Sequence, residues 1–486
     1  MSGAVGLAMW PLLAGAAVRV ALVHSGAAAV LEAAGPNELV TSRSSLAAVR
    51  EGAFLKAMGR SPFDGEMFRR SPIFVDIFGM TFEPESAEGQ DMGAIMLLCA
   101  VDLAIALVLI LTAHIIMHEY RGEEADADEY ELVTNTQPIR SGAKANNLGR
   151  LDFVNGLPVV QANSGLGAQS LPKIALLAKE NAPMTVAMVY LLNPCTLLGF
   201  LAGNINSVGI LAVLLSMWRA LRCDFLFGGF ALGLAISLDL RYIIFIIPFV
   251  LQIQRSARTS VAGMLTSGAA LFITTLTYAG LFLYNLHSPN LSSPLPELEQ
   301  LPHVLVESVY KGLLRDMELS DLSPNIGLWW YFFIEVFEES REFFKLLFQS
   351  SIALLVAPLC ITFGHRPQLL AHVLLIIVEL ATPYPDVGGI GLLMTLFVMH
   401  PLSIKRMQHI LPFGVGMLSC LSMLPIMRHM WLTVGSGNAN YYYFQTLISQ
   451  FCATNLVVKF VKASLWRDYV LEDHYASLRE KSSLDQ

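Results

Sequence analysis

Apolar residues run along this chain in long blocks separated by short polar stretches, not once per helical turn and not on alternate positions. A helix that is hydrophobic all round belongs in a membrane or a deep core. Crossing a hydrocarbon core takes about 20 such residues, fewer where the segment packs inside a bundle. The pattern predicts twelve spans: residues 5–30, 92–117, 184–202, 208–221, 225–236, 240–251, 261–284, 343–363, 369–381, 387–402, 410–430 and 441–461. Segments 225–236 and 240–251 flank Ser237 and Asp239 and read as two helices or one, since both are apolar all round. Short loops keep Lys and Arg on the cytoplasmic side. A break at Asp239 gathers Arg219, Arg222, Arg255, Arg258, His365, Arg366, Lys405, Arg406, His409, Arg467, Arg479 and Lys481 on one side. Twelve spans with both termini cytosolic are therefore expected. Residues 5–30 have the hydropathy of a signal peptide but no basic residue before Arg19, which favours a first transmembrane helix.

The opposite, lumenal face then collects residues 31–91, the turn at Asp239, residues 285–342, the turn at 383–386 and residues 432–440. Within 285–342, the stretch from Asn325 to Phe337 is too short to span and rich in Trp, Tyr and Phe, which fits a helix at the membrane interface. On the cytosolic side, 119–180 mixes an acidic run with Asn, Gly, Ser and isolated Pro and reads as a mobile insertion. The expected architecture is an all-α integral membrane protein, one polytopic domain over residues 1–486.

Composition sharpens this picture. Of 486 residues, 54% are hydrophobic and only 14% charged, where soluble domains carry about 25% charge, and mean hydropathy is +0.55. The formal charge of -8 owes most to residues 119–131, which hold seven acids against Arg121. No basic surface suggests nucleic acid. The six cysteines lie in or beside apolar segments without a C-x-x-C pair or a histidine at ligand spacing, so neither a disulfide framework nor a metal site is expected. Phosphate loops, nucleophile elbows and zinc-protease motifs are absent, and no cofactor is implied.

Glu51 reads as a solvated charge or a salt bridge to Arg50 or Lys56. Asp239 and Arg241, charged beside apolar segments, either flank an interfacial turn or carry function. Asp386, after two prolines bracketing Tyr384, reads as part of a fixed turn. Gly435-Ser-Gly-Asn-Ala-Asn-Tyr-Tyr-Tyr443 combines close-approach glycines, two amides and three phenolic rings at a membrane boundary. It reads either as an aromatic belt or as a holder of a glycolipid head group, with rings stacked on sugar and amides bonding hydroxyls.

Several stretches together resemble the PIG-U family, the polytopic subunit of the glycosylphosphatidylinositol (GPI) transamidase. They are Asn193-Pro194 after Val-Tyr-Leu-Leu, the block from Ser323 to Glu338, Tyr384-Pro-Asp-Val-Gly388, and Trp431 followed by Gly435-Ser436 and Asn438-Ala-Asn-Tyr-Tyr442. Glu51-Gly52, Gly59-x-Ser-Pro-Phe63 and Phe68-x-x-Ser-Pro72 are similar too. The likeness covers nearly the whole chain except 119–180. The Ser-Pro-Phe run also resembles the first lumenal loop of the polytopic GPI mannosyltransferases, which use a dolichol-linked sugar. Where those enzymes carry an Asp-x-Asp, this chain has Arg43 and Ser45.

The resemblance implies a mannosyltransferase-like fold without its acidic pair, and a non-catalytic subunit in the endoplasmic reticulum membrane that binds and presents the GPI anchor. It implies other transamidase subunits as partners, including a caspase-like protease subunit that supplies the nucleophilic cysteine, together with membrane lipids. Candidate anchor-binding residues are Asn325, Trp329, Tyr331, Glu335, Asn438, Asn440 and Tyr441; no catalytic or metal-binding residue is assigned. The rivals are a lumenal mannosyltransferase, which needs a carboxylate pair within 31–91, and a transporter, which needs paired interrupted helices.

Overall fold

A computed structural model describes residues 2–27, 31, 37–82, 92–136, 152–154, 157–159, 182–257, 260–287, 319 and 321–484. They are nearly all helical. The bundle opens with α1 (Ser2–His24), α2 (Leu46–Ala57), α3 (Ile73–Gly79) and α4 (Met92–Thr136). A broken pair follows, α5 (Ala182–Leu191) and α6 (Pro194–Leu201), then α7 (Asn206–Leu221), α8 (Phe225–Leu238), α9 (Ile246–Ser256) and α10 (Ser260–His287). The rest comprises α11 (Trp329–Glu335), α12 (Glu338–Phe363), α13 (Pro367–Ala381), α14 (Val387–Val398), α15 (Pro401–Arg406), α16 (Ile410–Arg428) and α17 (Ala439–Leu484). The strands among the described residues are one hairpin, Asp152–Val154 against Leu157–Val159, inside the acidic insertion.

Among the described residues four helices are long and apolar enough to cross a membrane: Met92–Met117, Val261–Leu283, Glu338–Phe363 and Ile410–Val434. The pair α5 and α6, bent by 44°, makes a fifth if it is one span. Apolar helices such as α7, α8, α13 and α14 have 12 to 16 residues, or roughly 18–24 Å at 1.5 Å per residue against a hydrocarbon core of about 30 Å. The long helices divide by position. Over half of the apolar window of Met92–Met117 is buried, against 17% for Val261–Leu283, 11% for Glu338–Phe363 and 17% for Ile410–Val434, so the first is central and the other three are peripheral. Phe272, Leu354, Ile361 and Leu411 point outward from that periphery, an apolar exterior that suits lipid and not water.

Local chemistry sets the breaks. Asn193 caps α6 by accepting from Cys195 N at 2.9 Å, with Pro194 at the first helical position. Proline has no N–H to give the preceding turn, and the carbonyls left over are claimed by side chains: Thr196 Oγ1 donates to Tyr190 O, and Arg19 Nη1 donates to Leu191 O at 2.8 Å. Arg19, fully buried, also pairs with Asp102 on α4 at 2.9 Å. Residues 225–251 resolve into two helices, because Asp239 terminates α8 and accepts from Arg241 N at 3.0 Å, starting the 3-10 segment Leu240–Phe245.

Helix α4 continues into the acidic run as far as Thr136, since a helix already nucleated over 26 apolar residues extends one hydrogen bond at a time. Residues 137–151, 155–156 and 160–181, the rest of the insertion called mobile, lie outside the described residues, as do 288–318 and 320 of the 285–342 loop. The aromatic helix is shorter than its block, seven residues, and packs Trp329, Trp330 and Phe333 into the bundle. Glu51 pairs with neither Arg50 nor Lys56. Its carboxylate accepts from Glu66 N, Met67 N and Phe68 N at 3.0, 2.8 and 2.9 Å, because Gly65 leaves room for it. Lys56 pairs with Asp76 instead.

Candidate functional site

The basic loops meet at one end of the bundle. Arg255 Nη1 donates to His365 O at 3.1 Å, Arg366 and His365 pair with Asp468 at 2.9 and 3.1 Å, and Ser403 joins Ser464 and Arg467. Cys223 lies against Ser256 at the same end.

The other end gathers the segments assigned to the opposite face. Asp386 caps α14 by accepting from Gly389 N at 2.9 Å and also accepts from Asn206 Nδ2 at 2.7 Å. Asn206 Oδ1 accepts from Arg70 Nη2 at 2.6 Å, and Arg70 Nη1 donates to Asp239 Oδ2 at 2.9 Å. Asp239 is held from its other side by Arg241 Nε, at 2.9–3.0 Å from both carboxylate oxygens. Arg43 lies over the Tyr384 ring at 4.6 Å, and Tyr384 donates to Asp321 O at 2.9 Å. A cavity of about 230 Å³ opens above this network. Arg43, Arg70, Asp239 and Arg241 form its polar part, and Trp329 with residues of α12 and α13 form apolar walls.

The seven candidate residues divide into two groups. Asn325 is buried and committed to its own turn: Oδ1 accepts from Gly327 N at 2.7 Å, and Nδ2 donates to Ser323 O and Pro383 O. Trp329 is buried against Phe333 and Phe348 and walls the cavity. The other five form an edge. Tyr331 stacks on Tyr443 with centroids 4.3 Å apart and donates to Asn440 Oδ1. Exposed Glu335 also reaches the Tyr331 hydroxyl. Exposed Asn438 caps α17 by accepting from Tyr441 N at 3.2 Å, which leaves the Tyr441 ring outside. Beneath this edge Trp330 meets Tyr442 and Tyr443 edge-on at 5.8 Å and stacks on Trp431 at 6.3 Å.

Sequence reasoning missed Trp330, Tyr442 and Tyr443 as the platform beneath the edge, and Arg43 and Arg70 as partners of the cavity. The charged pair at Asp239 and Arg241 was the available signal; Arg70, 169 positions from Asp239, carries none of its own. Among the described residues no group of three or more His, Cys, Asp or Glu is arranged to hold a metal ion.

Comparison with known proteins places this arrangement among relatives. A family model for GPI transamidase subunit PIG-U matches residues 13–449. GPI-anchor transamidase component PIGU of Cricetulus griseus is 24% identical over 471 residues, 95% of this chain and 94% of the relative. The Homo sapiens protein of the same name matches with the same identity and coverage. GPI transamidase component GAB1 homolog of Schizosaccharomyces pombe is 27% identical over 289 residues, 59% of this chain and 66% of the relative.

Proposed function

This chain belongs to the PIG-U family of GPI transamidase subunits, and from that membership we propose that it is the subunit that binds the GPI anchor and presents it to the catalytic subunit. The complex removes a C-terminal signal from a precursor and joins the new carboxyl group to the anchor's ethanolamine amine, with the nucleophilic cysteine on the caspase-like partner. In this reading the chain contributes no catalytic group. Support comes from its six cysteines: Cys99, Cys195, Cys420 and Cys452 are buried, Cys360 is half-buried within the apolar helix α12, and exposed Cys223 sits in the basic end, away from the candidate edge. The positions where the mannosyltransferases carry carboxylates hold Arg43, over an aromatic ring, and Ser45, which caps α2.

One observation carries the anchor-binding role. The Tyr331–Asn440 contact joins two segments 109 positions apart into a single edge of exposed amides and phenols, with Tyr331 on the same short helix as Trp329, which walls the cavity. Rings that stack on sugar and amides that bond hydroxyls suit a glycan whose acyl chains enter the bilayer alongside. The basic end faces the cytosol and the candidate edge the lumen of the endoplasmic reticulum, with both termini cytosolic. The shorter helices complete twelve crossings inside the bundle, where neighbouring helices shield them from lipid.

The test is retention of labelled GPI by reconstituted complexes carrying Asn438→Ala, Asn440→Ala, Asn440→Lys or Tyr331→Phe, with subunit ratios checked first. Losing one amide that bonds a sugar hydroxyl costs about 0.5–1.5 kcal/mol, or about 1–3 where its partner stays buried and unsatisfied, so Asn440→Ala weakens retention roughly two- to a hundredfold. Asn440→Lys is worse, because a charge at the lipid boundary adds desolvation. Tyr331→Phe keeps the ring and removes the hydroxyl's bonds to Asn440 and Glu335, so it tests the edge with the Asn440 amide present but freed from Tyr331. Normal retention with lost activity would assign the edge to subunit coupling, and dissociation of the complex would make it structural; either outcome ends the binding assignment.

A further inference from the structure

We propose that the 230 Å³ cavity holds the phosphate group of a membrane lipid, its oxygens facing Arg43, Arg70 and Arg241 and its acyl chains leaving along α12. Three guanidinium groups share the wall with one carboxylate, Asp239. Asp321 and Glu379 attract Arg43 and Arg241 from outside that wall and steady their positions. Arg241 engages Asp239 through Nε and Nη2, and its Nη1, buried, finds no hydrogen-bond partner among the described residues. A guanidinium fork matches the oxygens of a phosphate ester, and such charge-assisted bonds strengthen where water is excluded. The remaining walls are mostly apolar, as a hydrocarbon chain requires: Trp329, Val378 and the α12 face that carries Ile352 and Ala353, with the amide Gln349 one turn before them, on a helix whose apolar window is only 11% buried. The cavity thus runs from a charged floor to a lipid-exposed helix, the order of groups in a phospholipid or phosphoglycolipid. The proposal rests on the anchor-presenting reading only for which phosphate-bearing lipid enters.

The experiment uses the full chain with its co-purifying subunits in mild detergent and three probes: fluorescent phosphatidylinositol, fluorescent diacylglycerol of the same chain length, and inorganic phosphate as competitor. Arg43→Gln and Arg241→Gln are expected to weaken phosphatidylinositol binding roughly ten- to hundredfold and to leave diacylglycerol binding unchanged. Ala353→Trp, at an exposed position on α12, is expected to weaken both by closing the apolar wall. If Arg241→Gln does not assemble, Arg43→Gln and Ala353→Trp decide. Equal phosphatidylinositol binding by wild type, Arg43→Gln and Ala353→Trp would overturn the proposal. Displacement of all bound phosphatidylinositol by inorganic phosphate at equal concentration would overturn the lipid assignment in favour of a free-anion site. If Asn440→Ala loses labelled GPI while the cavity variants bind normally, the cavity proposal fails alone; the reverse result removes the anchor edge and leaves the cavity.

Discussion

Glu51 illustrates how a side chain with no catalytic signature earns its place through the backbone. Three amide N–H groups converge on its carboxylate, and bonds to a charged acceptor contribute about 1.5–3 kcal/mol each. Glu51→Gln, neutral and with one acceptor oxygen, is expected to lower stability by about 1–3 kcal/mol, read as a shift in thermal unfolding of the purified complex. GPI retention per assembled complex should stay normal; a hundredfold loss of activity in a stable complex would point instead to acid–base chemistry, which typically supplies 10²–10⁴-fold. Arg19 and Asp102 raise a different question, because both are buried between helices. Removing one member strands the other, at about 3–5 kcal/mol, whereas replacing both with apolar residues of similar volume is often neutral. Asp102→Leu alone should therefore unfold readily and Arg19→Met/Asp102→Leu should recover, less the bond from Arg19 to Leu191 O. Additive unfolding shifts in the double variant would refute the coupling.

Helices α8 and α10 pack through Gly229-x-x-x-Gly233: a Cβ at either glycine would meet Ala270 O or Thr274 O at 2.7 Å. That close approach is the small-residue mode of membrane helix association. Gly233→Leu must separate the helices and is expected to destabilise by about 1–3 kcal/mol, measured as increased proteolysis between α9 and α10. At the basic end, Asp468 ties α17 to the turn between α12 and α13. Burial raises its pKa, but the His365 hydrogen bond and the charges of Arg467 and Arg366 outweigh it and hold the carboxyl below its ordinary value. A depressed carboxylate pKa stabilises the fold above the unfolded value, about 3.9, and that contribution is lost as pH falls through the folded value. Unfolding should therefore steepen below about pH 4 in wild type, and Asp468→Asn should flatten the dependence there. An unchanged profile would show that the tie does not contribute.

Across the whole molecule, polar groups separate toward two ends of an apolar bundle, and this separation makes orientation testable. In a background with exposed Cys223 replaced by serine, Arg60→Cys, Tyr310→Cys and Gly437→Cys should resist a membrane-impermeant reagent until the lumen is opened. Tyr130→Cys, Ser256→Cys and Gln408→Cys should react once the plasma membrane alone is permeabilised. Labelling of position 310 from the cytosol would invert the proposed topology. Much of this organisation is written locally. Hydropathy placed apolar helices in the expected order along the chain, the turn expected at Asp386 stands directly before α14, and the basic loops sorted to one end, because solvation, turn chemistry and charge act on neighbours along the chain. The second partner of the carboxylate at Asp239 was not local: Arg241 bonds it at the break from two positions away, whereas Arg70 holds the same carboxylate from 169 positions away. Nor was the division of the aromatic block into buried Trp329, Trp330 and Phe333 and the edge residue Tyr331, which depends on what α17 brings beneath it. Sequence alone determined a polytopic helical protein of this family, with Arg43 and Ser45 in its first loop. Tertiary structure decided which charges share a cavity and which amides share an edge, because those contacts join residues more than a hundred positions apart and burial assigns their partners only after the helices have packed.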